Sequence, residues 1–340
     1  MFPALLASVS ILSLPPNRFP SFTGPRMPRS RACLSLPTAR AQASSRRTRR
    51  PQNVDGEFFV DTVCIDCDTC RWMAPDIFTR VANLSAVAKQ PQSKAERLNA
   101  LQALLACPTS SIHTEKPPAD ILEAQDTFPL PIEEEKLPGV YHCGYHSEKS
   151  YGAASYLLVH PDGNVLIDGP RYTERLARKI DLLGGVRFMF LTHKDDIADH
   201  EKWSKRLKCD RILHAEDVEA STVDVEIKLD GSGPWNLNES LKLIHTPGHT
   251  KGSVCLFYRP LQVLFTGDHL AMTATGLSIY EQYNRDSVLL QIDSVKTLAR
   301  LDFKWILPGH GRRVEYENTA EKTAALEAFV EQKLAPHSGF

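Results

Sequence analysis

Apolar positions along this chain change period repeatedly, and each change predicts an element. Leu98, Leu101, Leu104 and Leu105 recur at helical spacing, and Ser93 with Glu96 three residues on can cap the start, so residues 93–106 read as a helix. Ahead of it, 56–61 reads as a short strand and 84–88 as its antiparallel return. Residues 114–138 hold five prolines and the run Glu133-Glu134-Glu135, and are expected to be a stiff polar connector. Beyond Val140, strand and helix patterns interleave. Strands at 156–160 and 164–167 flank the hairpin signal Pro161-Asp162-Gly163. A helix over 173–183, a strand at 187–191, a helix over 202–207 and a strand at 211–213 follow. The second half predicts strands at 241–245, 253–258, 263–265 and 304–307, with helices near 287–301 and 320–333. Hairpins mixed with helices in this way predict an α/β layered sandwich with helices outside two sheets. Neither an internal repeat nor a Gly-rich nucleotide loop is present.

Charge divides the chain. The net charge is -1, yet residues 1–54 hold nine Arg and no Lys, Asp or Glu; removing those nine charges leaves the body at about -10. That body gives no reason to expect nucleic acid or an anionic membrane as partner. The Arg- and Ser-rich, acid-free leader has the composition of an organelle transit peptide, chloroplast rather than mitochondrion, and residues 1–54 are expected to be disordered and removed. No later run approaches the ~18 apolar residues of a membrane span.

Of the eight cysteines, Cys64, Cys67 and Cys70 stand at C-x2-C-x2-C spacing and Cys107 precedes Pro108. Three thiols on one tight loop plus a remote fourth can hold a cubane iron–sulfur cluster; a four-cysteine zinc site is the alternative. Cys143, Cys209 and Cys255 are scattered and read as small buried side chains. The stretch from Val60 to Ile112, including Arg71-Trp72-Met73-Ala74-Pro75-Asp76-Ile77-Phe78, resembles a single-cluster ferredoxin of the bacterial type, which implies a [4Fe–4S] cluster on those four cysteines.

A second set of metal-binding residue types ends the apolar strands: His193, His249, Asp268 and His310, three of them beside Gly or Pro turns. Residues 138–335 resemble the metallo-β-lactamase superfamily, in particular its glyoxalase II-like branch, through Leu166-Ile167-Asp168, Thr246-Pro247-Gly248-His249-Thr250, Phe265-Thr266-Gly267-Asp268 and Pro308-Gly309-His310-Gly311. The resemblance implies an αββα sandwich, preceded here by a small α+β ferredoxin-like domain at 55–113 and a linker at 114–137. It also implies ligand roles for His193, His249, Asp268 and His310, with Asp268 bridging where two ions bind and Asp168 holding geometry behind them.

The first family motif departs from its pattern. Thr-His-x-His-x-Asp-His would place His at +2, Asp at +4 and His at +5 from His193, whereas this chain reads His193-Lys194-Asp195-Asp196-Ile197-Ala198-Asp199-His200. Three arrangements remain open: a two-ion site that recruits Asp199 and His200 through a rearranged loop, a single-ion site from His193, Asp195, His249 and Asp268, or a weakened site. Asp195 is expected as a ligand, His200 is a further candidate, and Asp195 or Asp199 would orient water; the ions are zinc or iron, one or two. The implied activity is hydrolysis of thioesters or activated esters. The alternatives are an iron-dependent redox enzyme fed by the cluster from a redox partner, and a noncatalytic electron carrier or scaffold.

Overall fold

The computed structural model describes residues 47–335. Two sheets face each other in its larger part. One runs in the order Ile227–Leu229, Asp210–His214, Phe188–Phe190, Val165–Ile167, Tyr156–Leu158, Val140–His142, Leu130–Pro131; the other runs Trp235–Asn236, Leu241–His245, Val254–Tyr258, Val263–Gly267, Trp305–Pro308, Val314–Glu315. Alternate side chains along a strand point to opposite faces, and here both faces are covered. Tyr156, Leu158, Val165 and Ile167 meet Val254, Leu256, Val263 and Phe265 between the sheets. Leu157 and Leu166 turn outward onto Leu176, Ile180 and Trp203 of the helices Glu174–Leu182 and His200–Leu207. On the opposite outer face Cys255, Leu264 and Ile306 pack against Ile292, Leu298 and Phe329 of Val288–Ala299 and Thr319–Leu334. Burial of both faces is why these strands read as unbroken apolar runs, and the outcome is the expected αββα sandwich.

Helix starts follow their caps. The hydroxyls of Ser93, Thr173 and Ser287 accept bonds from the amides of Glu96, Leu176 and Leu290 at 3.1, 3.2 and 3.3 Å, which satisfies a donor that the helix itself leaves open. Cys143, Cys209 and Cys255 are all buried and free. Among the described residues no helix is long and apolar enough to cross a membrane.

Three expectations are corrected. Strand Phe58–Val60 pairs with Ile112–Thr114, and Leu84–Val87 pairs with Phe78–Val81, instead of with each other. The reason is local: Ala82 and Asn83 both take positive φ, 50° and 60°, and form the two-residue turn that closes a tight hairpin. The segment 114–137 is no bare linker, because it contains the helix Ile121–Asp126, the buried Phe128 packed 5.1 Å from Tyr145, and Leu130–Pro131 at the sheet edge. An edge strand tolerates Pro131, since the missing amide would face outward. Finally, residues 47–54 belong to the cluster domain and not to a disordered leader. Arg50 is buried and donates to the carbonyls of Ser85 and Val81, and the Arg49 backbone pairs with Asp61 in an isolated antiparallel β-bridge. The leader expectation otherwise falls on residues 1–46, which lie outside the described residues.

Candidate functional site

The cysteine cradle is built from the loop Cys64–Asp68, the short helix Thr69–Met73 and the end of the helix Lys94–Ala106. Cys64, Cys67, Cys70 and Cys107 line one small cavity together with Val60 and Ile112. Arg71 ties the loop by donating to Asp66 at 2.7 Å and to Asp68 at 2.6 Å. The Ser111 amide donates to Cys107 Sγ at 3.2 Å. Burial pushes the Cys67 thiol up to about 11 and raises Cys70 as well. Thiols converging in an apolar cavity, with their ionisation opposed by burial, are suited to exchange protons for a cationic group. The donor set and its spacing fit a [4Fe–4S] cluster.

The second centre gathers at the strand ends. Asp268, following Val263–Gly267, sets its Oδ2 3.7 Å from His193 Nε2, 3.8 Å from His249 Nε2 and 3.5 Å from His310 Nε2. Asp195 Oδ2 lies 4.0 Å from His249 Nε2. Two ligands each about 2.1 Å from a tetrahedral ion stand about 3.4 Å apart, so these separations match a ligand shell. The trio His193, Asp195, His249 and the trio His193, Asp196, Asp268 each converge within 4.8 Å. The Nε2 atoms of His193 and His249, Asp268 Oδ1 and both oxygens of Asp196 are buried without hydrogen-bond partners. Native proteins rarely leave that many buried polar atoms unsatisfied, and a cation would satisfy them together.

Electrostatics points the same way. Burial raises Asp196 well above the usual carboxylate range, and the charges of Asp268, Asp168 and Asp195 add to it. Burial also opposes the charge on Asp268, but His310, His193 and His249 outweigh it and hold that carboxyl low. Burial takes His249 down to about 4, so its ring is neutral at pH 7. A Cβ on Gly309 would sit 2.8 Å from Asp268 Oδ1 and 2.9 Å from Asp196 Oδ2. The two acids therefore crowd the same glycine, and like charges so placed call for a cation between them.

His193 is held in one tautomer. Asp168 accepts from the Thr192 amide at 2.8 Å and from the Thr192 hydroxyl at 3.0 Å. Thr192 Oγ1 has then given its proton away and must accept from His193 Nδ1–H, 3.0 Å distant, which leaves the lone pair of Nε2 facing the centre. This is how a residue behind a ligand fixes its orientation.

The structure thus brings His193, Asp195, His249, Asp268 and His310 together, and it does not bring Asp199 or His200. Asp199 accepts from the Tyr172 amide at 3.0 Å and from Lys149 at 2.9 Å. His200 opens its helix and accepts from Arg211 at 3.1 Å. His214 stacks on His245 with ring centroids 4.4 Å apart, and its Nε2 bonds Gly231 O. His269 is buried behind Asp268 with both ring nitrogens unpartnered. Sequence reasoning missed Asp196. Its signal was a carboxylate at +3, one residue short of the family's +4 Asp, and its side chain turns inward, buried with both oxygens unpartnered.

The two centres adjoin. Gly152 packs on the cluster loop, with a Cβ there lying 3.1 Å from both Cys67 Cβ and Pro108 Cγ. Two residues on, the Ala154 amide donates to Gly309 O at 2.7 Å. Arg312 donates to Asp68 at 3.1 Å, and Arg313 lies 4.6 Å over the Trp72 ring.

Residues 60–114 match the family described as 4Fe-4S single cluster domain of Ferredoxin I, and residues 151–310 match the Metallo-beta-lactamase superfamily. Beta-lactamase-like protein 2 homolog of Caenorhabditis elegans is 24% identical over 202 residues, 54% of this chain and 62% of that protein, so the chain spans less than two thirds of this relative. Among solved structures, an archaeal metallo-beta-lactamase superfamily protein from Sulfolobus tokodaii is 18% identical with TM-score 0.39, covering 59% of this chain and 88% of that one. A metallo-beta-lactamase from Hirschia baltica is 17% identical with TM-score 0.44, covering 55% and 94%. The chain joins a single-cluster 4Fe-4S ferredoxin domain to a domain of the metallo-beta-lactamase superfamily.

Proposed function

We propose that this chain is a metal-dependent hydrolase of thioesters or other activated esters, with a [4Fe–4S] cluster in its N-terminal domain. The observation that carries the reading is the Asp268 carboxylate ringed by three histidine Nε2 atoms within 3.5–3.8 Å. His193, Asp195, His249 and Asp268, with Asp196 and His310, are the residues to hold one or two zinc or iron ions. An ion so held supplies Lewis acidity and lowers the pKa of water towards neutrality. The chain's own groups do the rest. Asp195 is steadied by Arg285, whose Nε donates to it at 3.2 Å, and is placed to accept a proton from the attacking water. The Arg285 side chain is 48% exposed, and a half-exposed guanidinium beside the centre suits a substrate carrying a carboxylate or phosphate. The test is a screen of matched anionic and neutral thioesters against the zinc- and iron-loaded protein, with Asp268→Asn as the inactive control.

A second reading, an iron-dependent redox enzyme, is favoured by one observation. The contact of Gly152 with Cys67 and the Ala154–Gly309 bond link the cysteine cradle to the other centre through a few residues. Iron in both centres, and turnover that requires a reduced cluster and a redox partner, would select it. A chloroplast address belongs to the proposal and rests on the acid-free, Arg-rich leader; import assays on the full chain test it.

A further inference from the structure

His142 and His146 lie outside both ligand sets, yet both are buried, at 1% exposure each, between the cysteine loop and the sandwich. Their protons can be placed by elimination. His146 Nδ1 is 2.8 Å from Gly152 O. A carbonyl only accepts, so Nδ1 carries the hydrogen. Burial takes this ring down to about 3 and lowers His142 too, so each holds a single proton at neutral pH. His146 Nε2 is then a lone pair, and His142 Nε2, 2.8 Å away, must donate to it. That leaves His142 Nδ1 bare, and it is indeed buried with no partner.

The other end of the chain reaches a cluster cysteine. His146 Nδ1 also lies 3.1 Å from Thr69 Oγ1, so one N–H is shared between Gly152 O and the threonine. With its oxygen accepting, the Thr69 hydroxyl is free to donate to Cys67 Sγ, 3.4 Å distant; a thiolate ligating iron has no proton of its own to give. The polarity runs one way throughout: His142 to His146, His146 to Thr69, Thr69 to Cys67. Trp72, its ring 5.2 Å from His142, and Gly152 cover the pair.

We propose that His146, supplied by the hydrolase domain and steadied by His142, is a positioning residue for the cluster that raises its reduction potential by orienting the Thr69 hydroxyl onto Cys67. Reduction adds negative charge to the cluster, and a hydrogen bond to a ligating sulfur stabilises that charge. Chained donors polarise one another and strengthen the last bond. This inference goes beyond the hydrolase reading and does not depend on it, since none of the hydrogen bonds from His142 to Cys67 involves His193, Asp195, Asp196, His249, Asp268 or His310.

The experiment is an EPR-monitored titration of the anaerobically purified full chain, with dithionite supplying the electron and ferricyanide reversing it, and with iron content measured alongside. Thr69→Val and His146→Phe should each favour the oxidised cluster by about tenfold at a fixed poise, a fall of 59 mV for one electron. The double variant should fall no further than Thr69→Val alone, because both changes remove the same bond. Thr69→Ser and His146→Gln, which keep a hydroxyl and a side-chain N–H, should stay near the wild-type value. Wild-type potentials in Thr69→Val or His146→Phe at full iron content would overturn the proposal, as would strict additivity in the double variant. Should Thr69→Val lose iron, His146→Phe against His146→Gln decides, because His146, unlike Thr69, is remote in sequence from the four cluster cysteines.

Discussion

Gly152 lies against Cys67 so closely that a single added methyl would press on the cluster loop: its Cβ would stand 3.1 Å from Cys67 Cβ and 3.6 Å from Cys67 Sγ. Gly152 also holds φ at +91°, where an L side chain is strained. The two modules therefore share this contact.

Gly152→Ala should lose cluster iron faster than wild type during anaerobic dialysis and lower stability by about 1–3 kcal/mol, strain and contact together. Gly231, at φ +77° with nothing within 4 Å of its Cβ position, is the control. Gly231→Ala carries the backbone strain alone and should keep the iron.

Thr192 orients His193, a proposed ligand of the second centre. Thr192→Val removes the acceptor that fixes His193 Nδ1–H and leaves a buried Asp168 short of one donor. Metal affinity of the second centre should fall about 10- to 100-fold, read by competition with a chromophoric chelator, while cluster iron stays constant.

His200 belongs to a structural network in which Arg211 donates to His200 and to Glu226. His200→Ala should keep second-centre metal within about twofold; loss of that metal would revive His200 as a ligand. Glu226 is pulled down to about 2 by its hydrogen bonds with Arg211. A carboxyl depressed in the folded state contributes stability above its unfolded value of about 4.3, and that contribution is lost as pH falls from there towards 2. Chemical denaturation at pH 7, 4 and 3 should show Glu226→Gln less stable at pH 7, with the gap to wild type shrinking at the lower values.

Arg285 spans the rim and Asp195. With its side chain half exposed, Arg285→Met should raise KM for anionic thioesters at least tenfold more than for neutral ones of equal length. Equal effects on both would make Arg285 only a support for Asp195.

Much of this was legible in the chain. Leu241–His245 emerges at its expected bounds, and the capped helices start where Ser93, Thr173 and Ser287 announce them, because local hydrogen bonds decide helix starts. The convergence of candidate ligands at strand ends was legible for a similar reason: Gly and Pro turns mark where strands stop. Pairing partners were not. Phe58–Val60 meets Ile112–Thr114 across half a hundred residues of chain, and periodicity says nothing about which strand lies beside which. Asp196 was hidden by counting from a family spacing, although the turn that aims it inward is set by packing: a Cβ on Gly169 would meet Ala198 O at 2.1 Å. His142 and His146 carry no motif at all, and only the domain contact gives them a role.

Two metal centres are expected in this one chain. Elemental analysis and EPR of the anaerobically purified full chain beside Asp268→Asn test this most directly. About four irons with matching sulfide are expected in both proteins, with at least one further ion in the wild type that Asp268→Asn lacks. Identical metal content in the two proteins, or cluster iron that disappears with Asp268, would contradict it.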